Sequence, residues 1–261
     1  PWEDVSPRNI ERMQKHGLNP DVSKDRLQND REVIMEYYQR YYEAIRKVSK
    51  DVRIFHNSGH IYKGDRERWP YFTHLELESL PTGGWGYDHF PISARYTSTL
   101  GIDFLGMTGK FHTTWGEFGG YKTPTALEYE CAQMVALGAR CSIGDQLHPN
   151  GRMDPDTYKR IAPAYKRIEQ IESYLAGATP VSEIAILSAE AHHQDRDLDA
   201  NDGGASRILL ETQQMFDVID WENEFSQYKL LILPDILRLD KNQAEQLQTF
   251  VKNGGKIIAS Y

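Results

Sequence analysis

Three stretches of the chain end an apolar run in a cluster of carboxylates, histidines and tryptophans: Thr73–Phe90 (THLELESLPTGGWGYDHF), Phe104–Gly120 (FLGMTGKFHTTWGEFGG) and Ala139–Pro149 (ARCSIGDQLHP). Each predicts a short buried strand that opens into a loop rich in acids and rings. Carboxylates at strand ends supply the acid, base or nucleophile of glycosidic bond cleavage. Exposed indole rings offer flat apolar faces on which a pyranose ring can stack.

Alternation in His74–Leu75–Glu76–Leu77–Glu78 puts His74, Glu76 and Glu78 on one side of a strand and the leucines on the other. Glu76 and Glu78 then lie ~7 Å apart along the strand, close enough for mutual repulsion to raise one pKa and leave a usable acid. The competing reading is that one of them only pairs with a lysine or arginine. Asp145 follows Gly144 at a strand end and precedes Gln146 and His148. The end of a barrel strand is where catalytic carboxylates sit, although an aspartate there also caps the next turn. The catalytic candidates are therefore Glu78, Glu76 and Asp145.

Substrate-binding candidates surround them. Trp115 and Trp85 are sugar platforms, or else aromatics packed within their own loops. His112, with Lys110 before it, offers donors to hydroxyls, and Glu117 lies in the same loop. Asn57, between His56 and His60, ends the first expected strand and presents an amide. His148 closes the set.

A metal site is not expected. His192–His193 with Asp195, Asp197, Asp199 and Asp202 is the densest histidine and aspartate cluster, but it lacks the glycine and terminal glutamate of a calcium loop. It reads as a solvated loop. Gly203–Gly204 makes no phosphate-binding turn, so no flavin or nucleotide cofactor is expected.

The elements that must position these groups follow from periodicity. Asp25–Val48 predicts a helix with Leu27, Ile34, Tyr38, Tyr41, Ile45 and Val48 on its apolar face. Strands are expected at Val52–Phe55, Phe72–Leu77, Asp103–Met107 and Arg140–Ile143, with a helix near Ile92–Thr99. Thr123–Leu137 is a helix with Thr123 as cap, Pro124 in the first turn and Gly138 at its end. Asp154–Tyr174 is another, capped by Asp154. This alternation predicts parallel βαβ units. Gly177–Pro180 (GATP) reads as a linker. Beyond it Glu183–Ser188, Leu230–Leu233 and Lys256–Ser260 are nearly continuous apolar strands, as in a sheet covered on both faces. Helices at Gly204–Phe216 and Asp240–Lys252 separate them.

The chain has 261 residues and a net charge of -8, with no run of lysine or arginine, which argues against a nucleic-acid or anionic-membrane partner. No apolar stretch reaches the ~18 residues that span a bilayer. Cys131 and Cys141 sit in apolar patterns and are expected as reduced core thiols. That favours the cytoplasm, with the periplasm or secretion left open.

The order barrel strand, GKFH, WG, FGG, helix, GDQLHP, then linker and open sheet resembles a clan of glycoside hydrolases. The residues that carry the resemblance are His74–Ser79 (HLELES), Gly83–Tyr87 (GGWGY), Gly106–His112 (GMTGKFH), Trp115–Gly120 (WGEFGG), Leu127–Gly138 (LEYECAQMVALG) and Gly144–Pro149 (GDQLHP). The similarity is closer to the group of glycoside hydrolases that includes the family 151 α-L-fucosidases than to family 42 β-galactosidases. It implies an α/β chain: the C-terminal half of a (β/α)8 (TIM) barrel over residues 1–176, then a flavodoxin-like β-galactosidase trimerisation domain over 180–261, with both ends cut. It also implies hydrolysis of O-glycosyl bonds, most like an α-L-fucosidase, by a retaining two-carboxylate mechanism, and a homo-oligomer, a trimer, acting on carbohydrate. The alternatives are a β-galactosidase-like hydrolase and a non-catalytic carbohydrate-binding or assembly protein. One departure matters. The family 42 nucleophile is a glutamate at the end of the seventh barrel strand, whereas the matching segment Leu105–Lys110 (LGMTGK) has no carboxylate. The family's acid/base lies on an earlier strand, which falls upstream of Pro1, so neither role transfers to a residue of this chain.

Overall fold

The computed structural model describes residues 3–194 and 199–260. Two compact units make up the chain. The first runs to His56 and adds Glu67–Thr73; the second takes Asn57–Arg66 and everything from His74 onward.

The first unit is helical. Pro7 opens α1 (Pro7–Lys15), and α2 (Ser23–Val48) follows after a turn at Gly17. Arg12 of α1 binds Glu36 of α2 at 2.8 Å. Only part of the expected stripe on α2 is covered: Tyr38 is 4% exposed, with His56 and Phe72 against its ring, whereas Tyr41 and Val48 are open. Val52–Phe55 does not form the expected strand. Ile54 is instead clasped by one residue, its N–H donating to Thr73 Oγ1 at 2.7 Å and its carbonyl accepting from the Thr73 N–H at 2.8 Å. The threonine hydroxyl takes the place of a ladder partner.

The second unit contains two parallel sheets. In the first, β1 (Leu75–Glu78), β2 (Phe104–Gly109) and β3 (Arg140–Gly144) run in the order β1-β2-β3, with Glu78 opposite Met107 and Met107 opposite Ser142. Leu75 and Leu77 are buried, each worth about 1.5–3 kcal/mol of burial. Helix α3 (His89–Thr97) is buried along nearly its whole length, which requires partners on all sides. It meets β1 of the first sheet and β5 of the second. Helix α4 (Pro124–Ala136) starts at the Thr123 cap, whose hydroxyl accepts from the Ala126 N–H. It packs on α5 (Pro155–Leu175) through Leu127, Cys131, Ile161, Ala164 and Ile168. Cys131, within this core, and Cys141, packed against it, are free thiols.

The second sheet has the order β5-β4-β6-β7, from β4 (Ile184–Leu187), β5 (Asp217–Ile219), β6 (Leu230–Leu233) and β7 (Lys256–Ala259). Counted from β4, this is the 2-1-3-4 order of flavodoxin-like folds. Between its strands lie α6 (Ala189–His193), α7 (Asp199–Glu211) and α8 (Lys241–Lys252), the last with Asp240 and Gln243 in a capping box. Ala185, Leu187, Ile219, Leu231, Leu247 and Phe250 are buried in its core. The α/β class with parallel sheets is as the sequence predicts. Among the described residues, no helix is long and apolar enough to cross a membrane.

Candidate active site

Glu78 is the last residue of β1, so its side chain emerges where the strand opens into the Gly/Trp loop. Its carboxylate lies against the backbone of Gly59: a Cβ at Gly59 would stand 3.1 Å from Glu78 Oε2 and 3.6 Å from the Trp85 ring. Gly59 takes a φ of +68°, and its carbonyl accepts from the Glu78 N–H at 3.2 Å. Only glycine combines that φ with so close an approach. Trp85 meets His89 edge to face at 5.0 Å between centroids, and His89 lies 5.8 Å from His60. His89 Nδ1 is 3.3 Å from Ser79 Oγ. Carboxylate, indole edge and two imidazoles thus collect at one strand end. Asn57 is exposed two residues before Gly59.

Glu76 sits one strand repeat deeper, its side chain 8% exposed and 3.5 Å from His74 Nε2. Burial pushes its carboxyl above the ordinary range, the His74 interactions oppose that, and the Glu78 charge adds to the rise.

A second group gathers at the ends of β2 and β3. The Trp115 ring lies over Gly109 and Gly144, where added Cβ atoms would come within 3.3 and 3.0 Å of it. Phe111 supports the ring from 5.6 Å. Lys110 is buried, its ammonium 4.4 Å from the centre of the Tyr121 ring. Asp145 directly follows β3, and its Oδ1 accepts from the Gln146 N–H at 2.7 Å. Glu117 folds the intervening loop. It accepts from the N–H groups of His112 and Thr113 at 2.6 and 2.8 Å and from the Thr113 hydroxyl at 2.6 Å. These bonds, led by that hydroxyl, hold its carboxyl below the ordinary range. His112 is exposed in that loop, and His148 lies against Phe118 at 5.7 Å.

The strand register measures the gap between the groups. Asp145 stands three rows beyond the Glu78 row and two strands across, or about 14 Å between Cα atoms at ordinary strand spacings. Glu76 is two rows farther back, at about 19 Å. Glu76 with Glu78 is therefore the closer carboxylate pair, and Asp145 shares its neighbourhood with Trp115.

Two buried ionic clusters escape a motif-based reading. Glu130 of α4 binds Lys122 Nζ at 2.6 Å and accepts from Thr108 Oγ1 of β2 at 2.6 Å. Glu190 of α6 meets His60 and Lys63 from the loop beside Glu78. Glu130 lies on the Leu127–Cys131–Met134 stripe, so a charge on an apolar face was the available signal. Glu190 has no local signal, because its partners are 127 and 130 residues away. Among the described residues, no cluster of histidine, cysteine, aspartate or glutamate could hold a metal ion. Asp195 and Asp197 lie outside the described residues.

With this geometry in view, the likeness to known proteins is specific. Residues 194–261 match the β-galactosidase trimerisation domain. The structure of α-L-fucosidase isoenzyme 2 from Paenibacillus thiaminolyticus superimposes with a TM-score of 0.95 at 46% identity, over 99% of this chain and 40% of that one. This chain resembles a glycoside hydrolase along nearly its whole length. A family 42 β-galactosidase from G. stearothermophilus, a catalytic mutant, shares the fold at a TM-score of 0.67 and 18% identity, over 94% of this chain and 42% of that one. The β-galactosidase from Bacillus circulans sp. alkalophilus does so at 0.72 and 15%, over 92% and 40%. No curated protein matches the sequence. The chain thus spans about two fifths of the length of the solved structures it resembles.

Proposed function

We propose that this chain forms part of a glycoside hydrolase that cleaves O-glycosyl bonds, most like an α-L-fucosidase, with Glu78 and Glu76 as its carboxylates and Trp85 as a sugar platform. The observation that carries the reading is the Glu78 carboxylate at a barrel-type strand end, where it and the Trp85 ring both approach Gly59 and His89 packs on Trp85. Glu76, whose carboxyl burial raises, suits the proton-donor role, and Glu78, at the strand end, that of the nucleophile. A retaining mechanism needs the two carboxyl groups ~5–5.5 Å apart, a spacing within reach of side chains two residues apart on one strand face. Asp145, Trp115, His112 and His148 form an outer sugar-contact region, joined by Asn57 near Gly59, with Glu117 shaping its loop. The likeness to a fucosidase at 46% identity favours fucoside over galactoside. We divide the chain at Gly177–Pro180 into a partial barrel, 1–176, and a trimerisation-type domain, 180–261, and expect a homotrimer, consistent with the match over 194–261.

The test is hydrolysis of nitrophenyl α-L-fucoside and β-D-galactoside by the longest natural chain that carries this sequence, alongside its Glu78→Gln, Glu76→Gln and Asp145→Asn variants. The reading expects fucoside cleavage that falls at least about a thousandfold in Glu78→Gln, since the lost group contacts the reacting atoms. Full activity in Glu78→Gln and Glu76→Gln removes the assignment. Loss only in Asp145→Asn moves the chemistry to the β3 end.

A further inference from the structure

The loop that presses on Glu78 is held by residues of the other sheet. Glu190, in the first turn of α6 directly after β4, is 1% exposed. Its Oε1 lies 2.9 Å from His60 Nε2 and accepts from the Lys63 backbone N–H at 3.2 Å, while Oε2 binds the Lys63 ammonium. A second clamp stands three residues beyond Lys63. Arg66 grips Asp220, just past β5, through Nε at 2.9 Å and Nη2 at 2.8 Å. The Tyr96 hydroxyl donates to Asp220 at 2.7 Å and accepts from the Gly64 N–H at 2.8 Å. Gly64 is so close to α6 that a Cβ there would stand 2.9 Å from the Ala191 carbonyl. His60, held in the first clamp, is the residue next to Gly59, and Gly59 is the point that approaches Glu78 and Trp85.

A buried carboxylate, lysine and histidine stabilise a fold little more than apolar groups of the same size would, but their directional bonds specify one arrangement. We propose that Glu190 is a positioning residue for the sugar site. By fixing His60 and Lys63 it sets the distance from Gly59 to the Glu78 carboxylate and to Trp85, so the second sheet takes part in the alignment of the first. This rests on the reading of Glu78 as a site carboxylate. Glu190 touches no substrate in it.

The experiment compares the longest natural chain carrying this sequence with its Glu190→Gln variant. A second variant, Lys63→Met with Glu190→Gln, keeps the volume and leaves no unpaired buried ammonium, so that misfolding of the first does not decide the matter. Hydrogen exchange is followed at the amides of 58–64, kinetics on nitrophenyl α-L-fucoside, and melting on both variants. The expected result in a folded variant is exchange at 58–64 faster by about tenfold or more, kcat lower by about ten- to a hundredfold, the loss known for small misplacements of reacting groups, and KM within about threefold. A lowered melting point with exchange at 58–64 and kcat at the parent's values makes Glu190 a merely structural residue and overturns the proposal. So does faster exchange with unchanged kcat. If the parent cleaves no glycoside while exchange at 58–64 still rises in both variants, the reading of Glu78 fails and the hold of Glu190 on the loop stands.

Discussion

Replacing Lys122 by methionine removes the cation from the most enclosed ion pair of the first sheet. The Lys122 and Glu130 side chains are 0% and 2% exposed. In the intact protein Glu130 Oε2 receives Lys122 Nζ and Thr108 Oγ1, both at 2.6 Å, and Lys122 Nζ also donates to Thr108 Oγ1 at 2.7 Å. After Lys122→Met, Glu130 keeps the Thr108 hydroxyl and the distant Tyr87 hydroxyl at 3.4 Å, but no positive charge. Breaking a buried pair from one side costs about 3–5 kcal/mol, because the remaining charge is left uncompensated. Against a typical total of about 5–15 kcal/mol that is a large share. At about 2–4 °C per kcal/mol for a chain near this size, melting falls by roughly 6–20 °C. The double variant Lys122→Met with Glu130→Leu removes both charges, and the same reasoning expects it to recover most of the loss. Urea unfolding of the three proteins gives the values. A single variant within about 1 kcal/mol of the parent, or a double variant as unstable as the single, would refute the idea that the pair rather than side-chain volume is what matters.

Stability should also fall at low pH through Glu190. Burial alone pushes this carboxyl up, but the His60 hydrogen bond and the Lys63 charge outweigh it and hold the pKa at about 2 against an ordinary 4.5. A depressed carboxyl contributes stability that is full above 4.5 and is lost as pH falls through about 2, here roughly 3 kcal/mol; unfolding followed by pH should show this limb shrink in Glu190→Gln. Gly59→Ala forces a Cβ onto a φ of +68° and to 3.1 Å from Glu78 Oε2, so it is expected to cost about 1–2 kcal/mol and to shift Trp85 emission; unchanged stability and emission refute the close approach. Gly144→Ala meets the Trp115 ring at 3.0 Å; because that ring is exposed, it is expected to move aside at a cost below about 1 kcal/mol, with near-ultraviolet circular dichroism reporting the displaced indole and an unchanged spectrum refuting the contact.

The strands of both sheets were readable where an apolar run was long enough to exceed local noise: Leu230–Leu233 is found as predicted, and Leu75–Glu78 starts three residues after and ends one residue after the expected Phe72–Leu77. Helix α4 was legible because Thr123, Pro124 and Gly138 mark its ends chemically. Strand β5 was not, since Asp217–Ile219 offers three residues and too short a pattern to show a period. Helix α1 was missed for the opposite reason: it is almost wholly polar, and Pro7 reads equally as a loop or as a first turn. The expected strand at Val52–Phe55 had the right composition but found a single threonine instead of a neighbouring strand. At the candidate site, types and alternation pointed to Glu76, Glu78 and the tryptophans. What no spacing could reveal was that Gly59 would meet Glu78 or that Glu190 would reach His60, since both contacts join segments that only the folded backbone brings together.

In open parallel sheets of the flavodoxin-like order, the crevice beyond the C-terminal ends of the strands is where a ligand ordinarily binds. Here the carboxylates that follow β4 and β5, Glu190 and Asp220, are taken by Lys63, His60, Arg66 and Tyr96 of the same chain. The sheet is in effect liganded by its own sequence, which has a consequence for engineering. The C-terminal sheet is not an exchangeable module: a chimera that carries this sheet onto another scaffold must carry segment 57–66 with it, or leave Glu190 and Asp220 without the cations that bind them here.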